Sequence, residues 1–316
     1  MSARNPIKTA LITGGNGNLG RLTADRLLAD NIHVIRFDIP GTEPATVRPN
    51  ETIITGDIRD QKLVNDILSK HRPDTIYHLA SLLSGSSEAD HEAAWEINAT
   101  ASFHLLKLAV KHQVRTFFFA GTNASYGGGL NDPLPEDAMQ WPENIYGATK
   151  VAVERLGVFF KNKNDLDFRI LRFPMVLSPF APTTAVTAYP SHAIRAAMNH
   201  QPFSFPVSAQ TGMSTMFLDD VINSIIDFTY TPREQITQHA YNLHGYFMSV
   251  EMLIAEIHKQ YPEFAYQHDI NPVVENLINN WPNEIIDQHA RDDWGWSPRF
   301  DLEQSVEKMF NLIKTN

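Results

Sequence analysis

The sequence predicts an α/β fold, a doubly wound parallel sheet with a small, mostly α cap lobe. Three observations lead there. Short, wholly apolar runs alternate with helical patterns through the first half of the chain, as buried parallel strands and their crossover helices do. A glycine-rich turn from Gly14 to Gly20 joins the first apolar run to the first helical pattern. After Pro174 the alternation stops, and a stretch rich in Pro, Ala and Thr begins.

In order, a strand is expected over 9–13 and a helix over 18–29. Strands follow at 33–37, 51–55 and 75–79, with helices at 61–71 and 93–112. Fifth and sixth strands are expected at 116–120 and 168–173, with a helix over 146–162 between them. This spacing implies right-handed crossovers. Further on, 191–199 reads as a helix between irregular stretches at 178–184 and 201–211. Residues 216–230 read as a strand and helix that rejoin the sheet domain, with Asp219-Asp220 at the helix start. Residues 248–261 form an amphipathic helix, with Ser249 as N-cap and Met252, Ile254 and Ile257 facing inward. The expected division is a sheet domain of 1–174 and 214–246 and a cap lobe of 175–213 and 247–316.

Composition narrows the function. The 316 residues are 43% hydrophobic and 20% charged, ordinary for a globular chain able to bury a core. A formal net charge of −10 without any Lys/Arg run makes nucleic acid and anionic membranes poor partners. Cysteine is absent, which excludes disulfides, thiolate catalysis and Cys-held metal. None of the 13 histidines forms His-Glu-x-x-His or a comparable pair, so no metal is expected. The opening, Met1 to Pro6, is polar and unlike a secretory leader, and no apolar run of about 18 residues exists. The cytoplasm is the expected compartment.

Thr13-Gly14-Gly15-Asn16-Gly17-Asn18-Leu19-Gly20, between a strand and a helix, reads as a phosphate cradle for a dinucleotide. The glycines permit the tight turn, the approach of backbone to pyrophosphate and close helix packing. Free N–H groups at this helix start, with Asn18 and Leu19 in the motif, hold the phosphates. The next strand ends at Asp38, whose carboxylate suits the two ribose hydroxyls and repels a 2′-phosphate, favouring NAD over NADP. Arg36 shares a face with Asp38 and keeps NADP open unless it is solvated or ion-paired. Asp57, in Gly56-Asp57-Ile58, either meets the adenine amino group or caps a turn. Leu79-Ala80-Ser81 ends the fourth strand with small residues that let the cofactor pass.

The second constellation is Thr122, Tyr146 and Lys150. Oxidising a secondary alcohol removes a proton and a hydride, so the base must reach its anionic form. Free tyrosine titrates near 10; a lysine at i+4 lies on the same helix face, and its charge together with the positive nicotinamide favours phenolate. Lys150 can also hold the nicotinamide ribose, and Thr122 can orient the substrate oxygen.

These residues together resemble the extended short-chain dehydrogenase/reductase superfamily, the NAD-dependent epimerases/dehydratases, along essentially the whole chain. His78-Leu79-Ala80-Ser81-Leu82-Leu83-Ser84, Ile145-Tyr146-Gly147-Ala148-Thr149-Lys150, Leu171-Arg172-Phe173-Pro174 and Met216-Phe217-Leu218-Asp219-Asp220 are similar to the short-chain type of L-threonine 3-dehydrogenase. So are Asn280-Trp281-Pro282 and Ala290-Arg291-Asp292-Asp293-Trp294-Gly295-Trp296. The resemblance implies a Rossmann sheet, NAD, and Thr122, Tyr146 and Lys150 as the catalytic set. It places Ser81 and Ser84 beside the substrate, the backbone after Phe173 and Pro174 against the nicotinamide amide, and Asn98 as a steadying group at the cofactor. It implies a homodimer through the helices at 93–112 and 146–162. Asn123, Thr187 and Tyr189 complete the expected substrate set with Ser84, Thr122 and Tyr146.

One departure matters. Those dehydrogenases carry a Gly-rich loop with a Thr-Thr-Asp-Tyr run, whereas Phe180-Ala181-Pro182-Thr183-Thr184-Ala185-Val186-Thr187-Ala188-Tyr189-Pro190 lacks the Asp. Ser84-Gly85-Ser86-Ser87-Glu88-Ala89-Asp90 also resembles a pattern of family members acting on sugar acids. The expectation is oxidation of a small polar substrate, L-threonine first and a hydroxy acid as competitor. The alternative is a nucleotide-sugar epimerase or dehydratase, for which 183–213 offers only His192, Arg195 and His200 as cations. A silent NAD-binding regulator is disfavoured because both Tyr146 and Lys150 stand.

Overall fold

The computed structural model describes residues 5–44, 46–182 and 185–314. Met1 to Arg4, Thr183 and Thr184 therefore lie outside the described residues. The chain runs β1 (Thr9–Thr13), α1 (Asn18–Ala29), β2 (His33–Asp38), β3 (Glu51–Thr55), α2 (Gln61–His71), β4 (Thr75–His78), α3 (Ser84–Ala89) and α4 (His91–Ala94). A π-helical segment, Trp95–Thr100, leads into α5 (Ala101–Lys111), then β5 (Thr116–Thr122), α6 (Ile145–Asn164), β6 (Asp167–Phe173) and β7 (Met175–Leu177). Next come α7 (Tyr189–Met198), β8 (Phe203–Phe205), β9 (Gly212–Phe217), α8 (Leu218–Tyr230), β10 (Tyr241–Asn242) and β11 (Tyr246–Ser249). The chain closes with α9 (Val250–Gln260), β12 (Tyr266–His268), α10 (Pro272–Asn279), α11 (Gln288–Trp294) and α12 (Leu302–Lys314).

Seven strands form one sheet in the order β10-β6-β5-β4-β1-β2-β3, and every pairing is parallel. The order reverses between β1 and β4, the crevice where doubly wound sheets receive their ligands. Helices cover both faces. Ala24 and Leu27 of α1 and Val221 and Ile225 of α8 pack on one side. Leu68 of α2, Leu105 and Leu106 of α5 and Val153 and Phe160 of α6 pack on the other. The fully buried Arg169 of β6 is neutralised by Asp167 and donates to the carbonyls of Phe228 (2.5 Å) and Thr231 (2.8 Å). It thereby satisfies carbonyls that the end of α8 would leave orphaned.

The second half holds the differences. Helix α8 packs on the large sheet, whereas the strand before it is not part of that sheet. β9 instead pairs with β7 and β11 in a separate three-stranded sheet. β8 and β12 form a two-stranded sheet. Around them, Ile194 of α7, Leu253 and Ile257 of α9, and Val306 and Phe310 of α12 share a core distinct from those under the large sheet. Ser249 caps α9 as expected, accepting the Met252 N–H at 3.2 Å. Met252, however, is 40% exposed, and Leu253 takes the inward position. With the helix starting at Val250, the buried stripe falls on Val250, Leu253, Ile254 and Ile257. The helix expected over 93–112 is broken by the π-helical turn, a deviation that often marks functional sites. Asp219 and Asp220 stand in the first turn of α8, but Asp220 caps nothing there. It is 1% exposed and accepts the N–H groups of Arg299 and Phe300, pinning the C-terminal segment.

Candidate active site

A single cavity of about 870 Å³ runs along the carboxyl edge of the large sheet into the cap region. At one end lies the glycine turn. Gly14 has φ +69°, and a Cβ there would sit 2.7 Å from the Ala80 nitrogen. A Cβ on Gly20 would stand 2.2 Å from the Gly14 carbonyl oxygen. Glycine is thus required to bring β1, β4 and α1 this close. Helix α1 begins at Gly17 with no side-chain cap, so its first N–H groups are left for another acceptor, and Gly17, Asn18, Leu19 and Gly20 all line the cavity. An uncapped helix start over a glycine cradle fits a pyrophosphate.

The hydrogen bonds beneath this turn fix its shape. His78 is fully buried between Thr13 Oγ1 (2.6 Å) and Ser102 Oγ (2.7 Å), and burial pushes its pKa down to about 3. Ser102 donates to the Asn98 carbonyl at 2.5 Å, so a neutral ring donating from Nε2 and accepting at Nδ1 satisfies all four groups. Asp38 lines the cavity, and its carboxylate accepts the Asn16 and Ile39 N–H groups, both at 2.8 Å. Arg36 is 3% exposed and committed to Glu51, the Gly15 carbonyl and the Asn16 side chain. It is an ion-paired structural arginine and offers nothing to a 2′-phosphate. Asp57, Ile58 and Arg59 line the same end; Arg59 pairs with Asp57 at 2.5 Å and holds its carboxyl below the usual range. Leu79, Ala80 and Ser81 form the floor, with Phe173 further along.

At the other end, β5 delivers Thr122 and the first turn of α6 delivers Tyr146. Asn144 caps that turn by accepting the Gly147 N–H at 2.7 Å. The Thr122 hydroxyl accepts the Ala124 N–H at 3.2 Å, and Thr122 and Tyr146 both line the cavity. Lys150 lies one turn on, 5% exposed, donating from Nζ to the Ala120 carbonyl at 3.1 Å. Behind it, Glu154 of α6 pairs with Arg172 of β6, which also reaches the Tyr126 hydroxyl at 2.6 Å, locking α6 onto the sheet.

Several expectations need correction. On Tyr146 and Lys150 the protein itself acts chiefly by burial. Burial lifts the phenol to about 12 and lowers Lys150 to about 7, while the nearby Thr122 hydroxyl pulls the phenol the other way. The amine lies 5.5 Å from the phenol ring centre, and both groups are desolvated. Lys150 does not line the cavity and acts from beneath it. Asn98 does not touch the cofactor groove. It is 3% exposed and grips both the N–H (2.8 Å) and carbonyl (3.1 Å) of Leu82, a wall residue. Tyr189 is not at the substrate end. As the first residue of α7 it turns into the cap core, edge-on to Phe205. Ser84, Asn123 and Thr187 do line that end, while Ser125 is buried and taken by Gln140. The sequence reading missed Glu88, Asn144, Met175, Met213, Ser214, Leu277, Pro282 and Ile285 as wall residues, and saw Trp281 only as a motif. Only Asn144 had a local signal, as an Asn preceding a helix start. Among the described residues no group of His, Asp and Glu is placed to hold a metal, and no helix is long and apolar enough to cross a membrane.

A dinucleotide cradle joined by one cavity to a buried threonine–tyrosine–lysine set defines a nicotinamide-dependent oxidoreductase. Residues 10–243 match the NAD dependent epimerase/dehydratase family, and the chain belongs to that family. The mitochondrial L-threonine 3-dehydrogenase of Bos taurus is 30% identical over 307 residues, 96% of this chain and 82% of that protein. An L-threonine dehydrogenase structure from Clostridium difficile superposes with a TM-score of 0.92 at 26% identity, covering 98% of this chain and 99% of that one. A metagenomic L-threonine 3-dehydrogenase described as monomeric gives 0.89 at 27% identity, covering 97% and 99%.

Proposed function

We propose that this chain oxidises the secondary alcohol of a small polar amino alcohol, with L-threonine as the leading substrate. The observation that carries the reading is that Thr122 and Tyr146 line the far end of the cavity that begins at the glycine cradle, with Lys150 one turn beneath them. Gly14, Gly17, Asn18, Leu19, Gly20, Asp38, Asp57, Ile58, Leu79, Ala80, Ser81 and Phe173 would hold NAD, which supplies a hydride acceptor and a positive charge beside the phenol. Thr122 orients the substrate hydroxyl. The Tyr146 oxygen takes the hydroxyl proton as the carbinol C–H leaves as hydride, so alcohol becomes ketone. Lys150 compensates the phenolate from below. In this reading the large sheet serves the cofactor and the 175–213 and 247–316 segments serve the substrate.

The test is NADH formation from L-threonine by the purified chain. Tyr146→Phe removes one oxygen and should lower turnover by about 10²–10⁴-fold while NAD binding, measured by calorimetry, stays intact. Undiminished turnover would remove Tyr146 as base. We also propose a cytoplasmic location and a homodimer through α5 and α6, beside which Trp95 and Phe159 are 46% and 54% exposed. Light scattering should report a dimer that Phe159→Glu splits into monomers; a monomeric wild type, like the metagenomic relative, would exclude it.

A further inference from the structure

The substrate end of the cavity contains one unexplained side chain. Both heteroatoms of the Asn123 carboxamide are buried, and neither has a hydrogen-bond partner among the described residues. Asn123 lines the cavity directly after Thr122, in the short 3₁₀ turn that follows β5. Its own carbonyl is engaged by the Tyr126 N–H at 3.1 Å, so the backbone is fixed while the amide is left free. Buried amides without partners are rare, because each lost bond carries a desolvation penalty.

The surroundings define what such an amide can meet. The loop before α7 supplies Thr187, but Tyr189 is withdrawn into the cap core. No Lys, Arg or His lines this end among the described residues. Arg195 is bound to the Pro179 carbonyl, and His192 stands outside the wall. His244 sits behind Ser214, bonded to its hydroxyl at 2.7 Å, and burial favours its neutral form. Among the described residues the one formal charge lining this end is Glu88, half exposed, whose carboxylate accepts the Ile145 N–H at 2.9 Å, one residue from Tyr146, and has His91 Nε2 at 3.5 Å. A net anion such as a diphosphate finds no counter-charge here. A carboxamide, whichever way it is turned, presents one donor and one acceptor side by side.

We propose that Asn123 is a specificity-determining residue that reads the two charged groups beside the reacting carbinol, accepting from an ammonium and donating to a carboxylate. This rests on the amino-alcohol dehydrogenase reading above. Glu88 supplies the negative field that orients the ammonium, and Asn123 keeps the two ends in register with Thr122 and Tyr146. A site built to hydrogen-bond a polar group discriminates strongly against analogues that lack it.

The experiment compares wild type, Asn123→Leu and Asn123→Asp with L-threonine, 3-hydroxybutyrate, which lacks the ammonium, and 1-amino-2-propanol, which lacks the carboxylate. Wild type should prefer L-threonine over both. Asn123→Leu should raise KM for L-threonine about tenfold or more with kcat within about threefold, leave NAD affinity unchanged and not lower Tm, since its amide has no internal bonds to lose. Asn123→Asp keeps an acceptor but repels carboxylate, so its preference for L-threonine over 1-amino-2-propanol should fall at least about tenfold. An Asn123→Leu enzyme with wild-type KM and preference overturns the proposal while the dehydrogenase reading stands. So does a loss of NAD affinity, which would assign the amide to the cofactor. A wild type that oxidises 3-hydroxybutyrate in preference to both amino alcohols overturns the amino-alcohol reading itself, and the role of Asn123 with it.

Discussion

The two ends of the cavity are built from different materials. The cofactor end is mostly backbone: a glycine turn, an uncapped helix start and the ends of β1, β2 and β4, with Asp38 as its main side-chain contribution. The substrate end is mostly side chain, drawn from α3, β5, α6, the loop before α7, β9 and the C-terminal third. The first can be written as a spacing in the sequence, because only glycines spaced in this way allow the close approach. The second has no spacing at all, since Glu88, Asn123, Thr187, Met213 and Trp281 meet only when the whole chain is folded.

If the cofactor end is backbone-built, added Cβ atoms should harm it in graded ways. Gly20→Ala places carbon 2.2 Å from the Gly14 oxygen and 2.8 Å from the Gly15 Cα, so the turn itself must open. That variant should lose NAD affinity by about 100-fold or more and lower Tm as well. Gly17→Ala is the sharper case. Its Cβ meets only the Gly14 oxygen, at 3.3 Å, and the backbone (φ −66°, ψ 172°) suits any residue. It should lose about tenfold or more in NAD affinity with little change in Tm, because the added methyl intrudes on the ligand and not on the protein. Equal NAD binding by Gly17→Ala and wild type would break the comparison.

Asp38 is the exception that tests the rule, a side chain at the backbone-built end. Asp38→Ala should shift the kcat/KM preference for NAD over NADP by about tenfold towards NADP, since it removes both the ribose acceptor and the repulsion of a 2′-phosphate. Arg36 should not extend that shift, because Glu51 and Asn16 already hold it. An unchanged cofactor ratio would transfer discrimination to Arg59 or another group.

Legibility followed the same division. The strands through β6 and helices α1, α2 and α6 were read to within a residue or two because apolar period and turn residues are local signals, whereas α3 and the π-helical break before α5 were not read. The sheet that β9 joins was not readable, since pairing with β7 or with the large sheet is decided by where the cap folds back. Tyr189 was expected before a helix starting at 191, but α7 starts two residues earlier, which makes Tyr189 its first residue and puts the ring in the cap core. Asn98 steadies the wall through Leu82, but it does not line the cofactor groove as expected. Nothing in its spacing shows that the π-helical turn aims its amide at Leu82. The wall from Leu277 to Ile285 is supplied from more than a hundred residues away, and only tertiary contact reveals it.

Lys150 provides the smallest and subtlest expected effect. Its amine is buried beneath the substrate end, with no carboxylate partner among the described residues, and its pKa falls to about 7 from an ordinary 10.5. Between those values the unfolded chain binds more protons than the folded one, so this group makes stability rise with pH across that window. Below about 7 its penalty is constant, and above about 10.5 it vanishes. Tyr146, raised from 10 to about 12, acts in the opposite sense only above pH 10. Lys150→Met should therefore be more stable than wild type at pH 6–7, with the two Tm curves converging as pH approaches 10. The variant should lose turnover, since the phenolate loses its compensating charge. Parallel Tm curves from pH 6 to 10 would show that the amine is already paired or solvated. A substrate end that is side-chain-built should show this cost of carrying polar groups in a dry wall, and the glycine end should not.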